Sequence, residues 1–268
     1  MTRMSGLLGS MAKERIRDEL MRILVARRPS RAFYLMARTG LLKEILPELL
    51  EGYRKRQNRH HRYTIFSHIM VCLDRIEPEP ELRLTALLHD IAKPRVRERT
   101  ERGYRILGHE KASGELAGAI MRRLKFSNDM VRQVTHLIEH HMAVVGYHSG
   151  WGDGALRRLI RRIGPENMDR FLAFHRADLE AHGPGRDDPA LFTQLKERVE
   201  ALLEGRPPLR TRDLAINGYK VMEILGVGPG PEVGRALADL MDQVTDRPEW
   251  NTEERLTGLL KDRKSAPP

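Results

Sequence analysis

Apolar residues recur at three- and four-residue spacing along almost the whole chain, and no run alternates apolar with polar at period two. Stripes of that kind bury only against other stripes, so the fold class they dictate is all-α. The spacing predicts helices over 14–25, 31–38 and 41–45, a group of short helices with Ile16, Leu20, Ile23 and Leu24 on the first stripe. Stronger patterns follow over 63–76, 81–92, 109–124 and 128–141, the last with Ser127 as its N-cap. Further helices are expected over 155–163, 166–181 and 189–204. Residues 95–108 are charged and read as a surface loop, and 146–154 read as a glycine-rich one. The run His182-Gly183-Pro184-Gly185 marks a domain boundary. The expected organisation is a neck-like helical module over 1–52, a helical core over 53–185 and a C-terminal helical module over 186–268.

Charge narrows the partners. The chain carries 47 Lys and Arg against 37 Asp and Glu, a net charge of +10. Such an excess favours a polyanion, whether nucleic acid, nucleotide or an anionic membrane surface. Aromatic residues are only 5% of the chain, which leaves few platforms for base stacking and makes phosphates the expected contact. Cys72 is the single cysteine, so neither an internal disulfide nor a thiolate metal cluster can form. No stretch approaches the ~18 apolar residues of a membrane span, and the first ten residues do not read as a secretory signal. A cytoplasmic protein is expected.

The residues that carry chemistry form an ordered series. His68 lies on a predicted helix, His89-Asp90 close the apolar run Ala86-Leu87-Leu88, and His109 follows a glycine. His136, His140 and His141 share one helix end, and Asp178 sits on a later helix. Imidazole nitrogens and carboxylate oxygens are the donors a hydrolytic divalent ion takes. With 11 His and ~5% Asp, roughly half a His-Asp dipeptide arises by chance, so the pair alone means little. The ordered series is what points to a metal.

His68, then Ala86-Leu87-Leu88-His89-Asp90-Ile91-Ala92-Lys93-Pro94, then Asp178 resemble the H…HD…D signature of the HD superfamily of phosphohydrolases. The resemblance implies an HD-type helical core with a metal held by His68, His89, Asp90 and Asp178. It implies a second ion for members that add histidines, here His109 with His140 or His141. The ion could be Mn, Co, Ni, Mg, Fe or Zn. Asp90 would then be ligand and catalytic residue, and Lys93 a catalytic, phosphate-facing lysine. The Glu-Asp pair of the guanosine-tetraphosphate hydrolase branch does not follow His89-Asp90, which counts against that substrate.

A wider resemblance surrounds the core. Glu14-Arg15-Ile16, Gly40-Leu41-Leu42 and Ile45-Leu46-Pro47-Glu48 are similar to the neck of bacterial CCA-adding tRNA nucleotidyltransferases and poly(A) polymerases. Gln57 with His60-His61 and, near the end, Ile216-Asn217-Gly218 through Gly234 continue that similarity. The catalytic head of that family, with its Gly-Gly loop and Asp-x-Asp pair, has no counterpart in these residues, so a head carried on a separate chain is one expected partner.

Two kinds of surface are expected to hold tRNA or other RNA. Arg157, Arg158, Arg161 and Arg162 fall on one side of a predicted helix, and Arg54, Lys55, Arg56, Arg59 and Arg62 form a second cluster. The turn 225–231, with Gly228 and Gly230, offers backbone N–H groups before a helix. Two functions are therefore expected. One is a metal-dependent phosphomonoesterase or phosphodiesterase acting on nucleotides or RNA ends. The other is the tRNA-binding body of a nucleotidyltransferase with a structural or vestigial metal site.

Overall fold

The computed structural model describes residues 12–57, 62–101, 103–183 and 188–265, and it is helical except for one small hairpin. The chain divides into two compact units. The first contains residues 1–145 and 169–189, and the second 146–168 and 190–268.

In the first unit, α1 (Lys13–Leu24), α2 (Ser30–Thr39), α3 (Leu41–Ile45) and α4 (Pro47–Leu50) follow one another closely. Gly40 separates α2 from α3 with φ +80°, a left-handed conformation that glycine adopts without strain. Ser30 fixes the start of α2 by donating from its N–H and Oγ to Asp74, at 3.1 and 2.6 Å. Asp74 belongs to α5 (Ile65–Arg75), whose first turn is capped by Thr64 accepting from Ser67 N at 3.3 Å.

At the centre runs α6 (Pro80–Leu88), in which every residue from Leu82 to Leu88 is buried. A helix buried on all sides belongs in the middle of a core. Here α1, α5, α8 (His109–Arg123) and α9 (Asn128–His140) surround it. Arg83 is tolerated inside because Leu73 O and Glu77 O accept from its guanidinium at 2.6 and 3.0 Å. The helix stops at Leu88, earlier than the apolar pattern predicts, and His89 is its C-cap. A short α7 (Lys93–Val96) follows, with Pro94 in its first turn.

The stretch expected as a loop over 95–108 contains an antiparallel hairpin of β1 (Arg97–Thr100) and β2 (Gly103–Ile106). Its pattern escaped detection because each strand is only four residues long and β1 is wholly polar. Side-chain pairs across the strands support it. Arg97 lies 3.8 Å over the Tyr104 ring, and Arg105 bonds Glu98 at 2.9 Å. The remaining helix of this unit is α11 (Met168–Ala181), which begins at its boundary.

The second unit contains α10 (Asp153–Ile163), α12 (Pro189–Glu204), α13 (Gly218–Leu225), α14 (Pro231–Asp246) and α15 (Glu253–Ser265). Leu156, Leu159, Ile160 and Ile163 form the buried stripe of α10, which packs on α14. The α10 stretch, expected within the core over 53–185, thus lies in this second unit. Val221, Ala236, Leu240, Met241, Val244, Leu256 and Leu260 make a core among α13, α14 and α15. No helix among the described residues is long and apolar enough to cross a membrane.

Candidate metal centre

Five segments of the first unit deliver their side chains to one point. His68 comes from the middle of α5, His89 and Asp90 from the end of α6, and His109 from the first position of α8. His141 is the C-cap of α9, and Asp178 projects from α11. His68 Nε2 lies 3.2 Å from His89 Nε2, 3.4 Å from Asp90 Oδ2 and 3.0 Å from Asp178 Oδ1. His89 Nε2 lies 3.2 Å from Asp90 Oδ2 and 3.4 Å from Asp178 Oδ1. Ligand bonds of about 2.1 Å give coordination polyhedra with edges of about 3.0–3.4 Å, and each of these five separations matches such an edge.

A second group adjoins the first. His109 Nε2 lies 3.2 Å from His141 Nε2 and 3.5 Å from Asp90 Oδ1, and His141 Nε2 is 3.9 Å from the same oxygen. Asp90 therefore turns Oδ2 to one group and Oδ1 to the other. His68, His89, Asp90, His109, His141 and Asp178 are all buried.

The chemistry of this cluster fits a cation. The Nδ1 atoms of His68, His89 and His141 face the carbonyls of Ala181, Ala86 and Ile138 at 3.1, 3.0 and 2.6 Å. A carbonyl only accepts, so each Nδ1 carries a proton, and Nε2 is the nitrogen each ring turns toward the centre. Lone pairs and carboxylates crowded together repel unless positive charge sits among them. Asp90 Oδ1 and Asp178 Oδ1 are also buried without a hydrogen bond.

The acid–base balance shows the same demand. Burial disfavours a proton on His89, yet the facing Asp90 and Asp178 carboxylates push its pKa up to about 10. Burial raises the Asp90 carboxyl, but His89, Lys93 and His68 outweigh it and hold it well below the carboxylate range. Asp178 is likewise held low, against its burial, by His68 and His89. In the second group burial dominates and pulls His109 down to about 3 and His141 to about 4. Those two histidines are neutral at pH 7, the state in which imidazole binds a metal.

Other expected residues lie elsewhere. His140 turns from the cluster, with Nδ1 2.9 Å from His136 O and its ring 4.6 Å from the His136 ring. Of the two adjacent histidines, His141 reaches the centre. Lys93 is the lysine expected to face phosphate. It is buried, and its Nζ donates to Asp90 Oδ2 at 2.6 Å and Gln57 Oε1 at 3.1 Å. His60, His61 and Arg59 lie outside the described residues.

The arginines of α10 also depart from a free phosphate-facing row. Arg157 donates to Thr245 O at 2.6 Å and Asp246 O at 2.9 Å, closing the end of α14. Arg158 and Arg161 pair with Asp246 and Asp242, while Arg162 is exposed. Gly228 and Gly230 have open space where a Cβ would stand.

His182 was not singled out from the sequence. Its ring stacks on His68 with centroids 5.3 Å apart, and it forms a possible ligand group with His68 and Asp178. The signal was its position four residues after Asp178, which puts both on one helical face. His175, three residues before Asp178, is buried and stacks on Phe171.

The chain carries an HD domain: residues 65–170 match the family of that description. Residues 1–52 match the family described as the probable RNA and SrmB-binding site of polymerase A. The chain is 33% identical to the A-adding tRNA nucleotidyltransferase of Deinococcus radiodurans, over 89% of this chain and 56% of that protein. It is 31% identical to the CC-adding tRNA nucleotidyltransferase of Thermus thermophilus, over 93% of this chain and 56% of that protein. More particularly, then, this HD-domain chain is homologous to the tRNA nucleotidyltransferases over some nine-tenths of its own length. It spans just over half the length of those relatives.

Proposed function

We propose that the chain is a metal-dependent phosphohydrolase acting on phosphate esters of nucleotides or of RNA ends, and that it associates with tRNA. The observation that carries the reading is Asp90, whose two buried oxygens each face a separate pair of histidines. His68, His89, Asp90 and Asp178 would hold one divalent ion, and Asp90, His109 and His141 a second. Ions there supply charge neutralisation at phosphoryl oxygens and water activated at neutral pH. The protein's share is to hold imidazole nitrogens in the correct tautomer through backbone carbonyls. Lys93 keeps Asp90 ionised and oriented from behind, a positioning role rather than contact with substrate.

The second reading, a tRNA-binding body whose metal site is structural, draws on the relatives, which are named as tRNA nucleotidyltransferases. Incubating the metal-loaded protein with 2′,3′-cyclic nucleotides and simple phosphate esters separates the two. Turnover that disappears in Asp90→Ala supports the hydrolase, and metal loading without turnover supports the structural site.

A further inference from the structure

The hydrolase reading calls for a cation that grips the substrate's phosphate, and Lys93 is already committed to Asp90 and Gln57. Among the described donors of the centre, exposure is greatest on the side of Asp178. His68, His89 and Asp90 side chains are at most 1% exposed, whereas Asp178 is 12% exposed and the adjoining His182 is half-buried. Arg62 stands on that side. Its backbone N–H donates to His182 O at 3.3 Å, and its stem lies over Gly183. A Cβ added at Gly183, where φ is +107°, would lie 3.1 Å from Arg62 Cβ and 3.3 Å from its Cδ.

The same segment is tied to the opposite side of the centre. Gln57, which accepts from Lys93, donates through Nε2 to Tyr63 O at 3.4 Å. Thr64 then caps α5, the helix that carries His68. A chain of contacts therefore runs from Asp90 through Lys93 and Gln57 to Tyr63, and another from Asp178 and His182 to Arg62. Arg62 itself is exposed and has no carboxylate partner among the described residues.

We propose that Arg62 binds the phosphate group of the substrate at the mouth of the metal centre. A guanidinium there offers two parallel N–H donors to the non-bridging oxygens of a phosphomonoester or diester. The ligand class is thus a phosphate-bearing anion, and the inference rests on the hydrolase reading.

Inorganic phosphate is the probe, titrated calorimetrically into the manganese-loaded protein alongside its Arg62→Ala and Arg62→Lys variants. Loss of one charge-assisted contact predicts affinity about 10- to 100-fold weaker in Arg62→Ala. Arg62→Lys should recover part of it, and manganese affinity should stay unchanged in both because Arg62 is no ligand. Steady-state kinetics on a phosphate ester should show the loss mainly in KM. Wild-type and Arg62→Ala proteins that bind phosphate equally would overturn the assignment while leaving the hydrolase reading intact. A wild-type protein that loads manganese yet binds no phosphate would overturn the hydrolase reading, and Arg62's role with it.

Discussion

His89 illustrates how a single residue couples charge to structure. Its pKa of about 10 means that the ion-free protein carries a proton there at pH 8, filling the positive role between Asp90 and Asp178. A coordinated imidazole nitrogen cannot hold that proton, so ion uptake should release close to one proton per first-group ion. Calorimetry at pH 8 in buffers of different ionisation enthalpy measures this directly, and apparent affinity should rise with pH toward about 10. Equal heats in all buffers would contradict it.

His109 and His141 work in the opposite sense. Their folded pKa values, about 3 and about 4, lie below the ordinary 6.5, so the folded state binds fewer protons than the unfolded one between those values. Metal-free stability contributed by them is therefore present above pH 6.5 and is lost as pH falls toward 4. Chemical denaturation at pH 7 and pH 5 should show less loss on acidification in His141→Phe than in the wild type. His141→Ala should also lower the bound metal by one ion, whereas His140→Ala should not.

Among the elements, α6 was legible because Leu84, Ala86, Leu87 and Leu88 crowd apolar residues between Pro80 and Pro94. Its exact end was not legible, and neither was that of α9. One residue at a helix end turns a side chain by about 100°, which is why spacing alone left His140 and His141 undivided. The β1–β2 hairpin was hidden by its shortness and by the wholly polar β1. The α10 arginines read as a phosphate row because a sequence shows their common side but not the helix waiting opposite. Arg157→Ala should lower the stability of the second unit by about 1–2 kcal/mol, since it strips donors from the last carbonyls of α14. Ile160→Ala, in the fully buried stripe, should cost about 2–5 kcal/mol. Thermal unfolding checks both, and neither change should alter metal affinity.

For the molecule as a whole, the candidate metal donors could be picked out at sequence separations of more than a hundred residues because they form an ordered pattern of rare residue types. The division into units was not readable. The chain enters the second unit at Gly146, returns to the first at Asp169 and leaves again at Ala190, and periodicity along the sequence has no mark for such a return. With a net charge of +10 and its match to a probable RNA-binding family, the protein should bind tRNA with an affinity that falls steeply as salt rises. Asp90→Ala should leave that binding nearly intact, because Asp90 is wholly buried.

The most direct test of the central claim is turnover of a phosphate ester by protein of measured metal content, with Asp90→Ala prepared in parallel. The account predicts hydrolysis that rises with bound Mn, Co, Ni or Mg and vanishes in the variant. Full occupancy of both groups without hydrolysis of any nucleotide, cyclic nucleotide or RNA-end phosphate would contradict it and leave the centre a structural one.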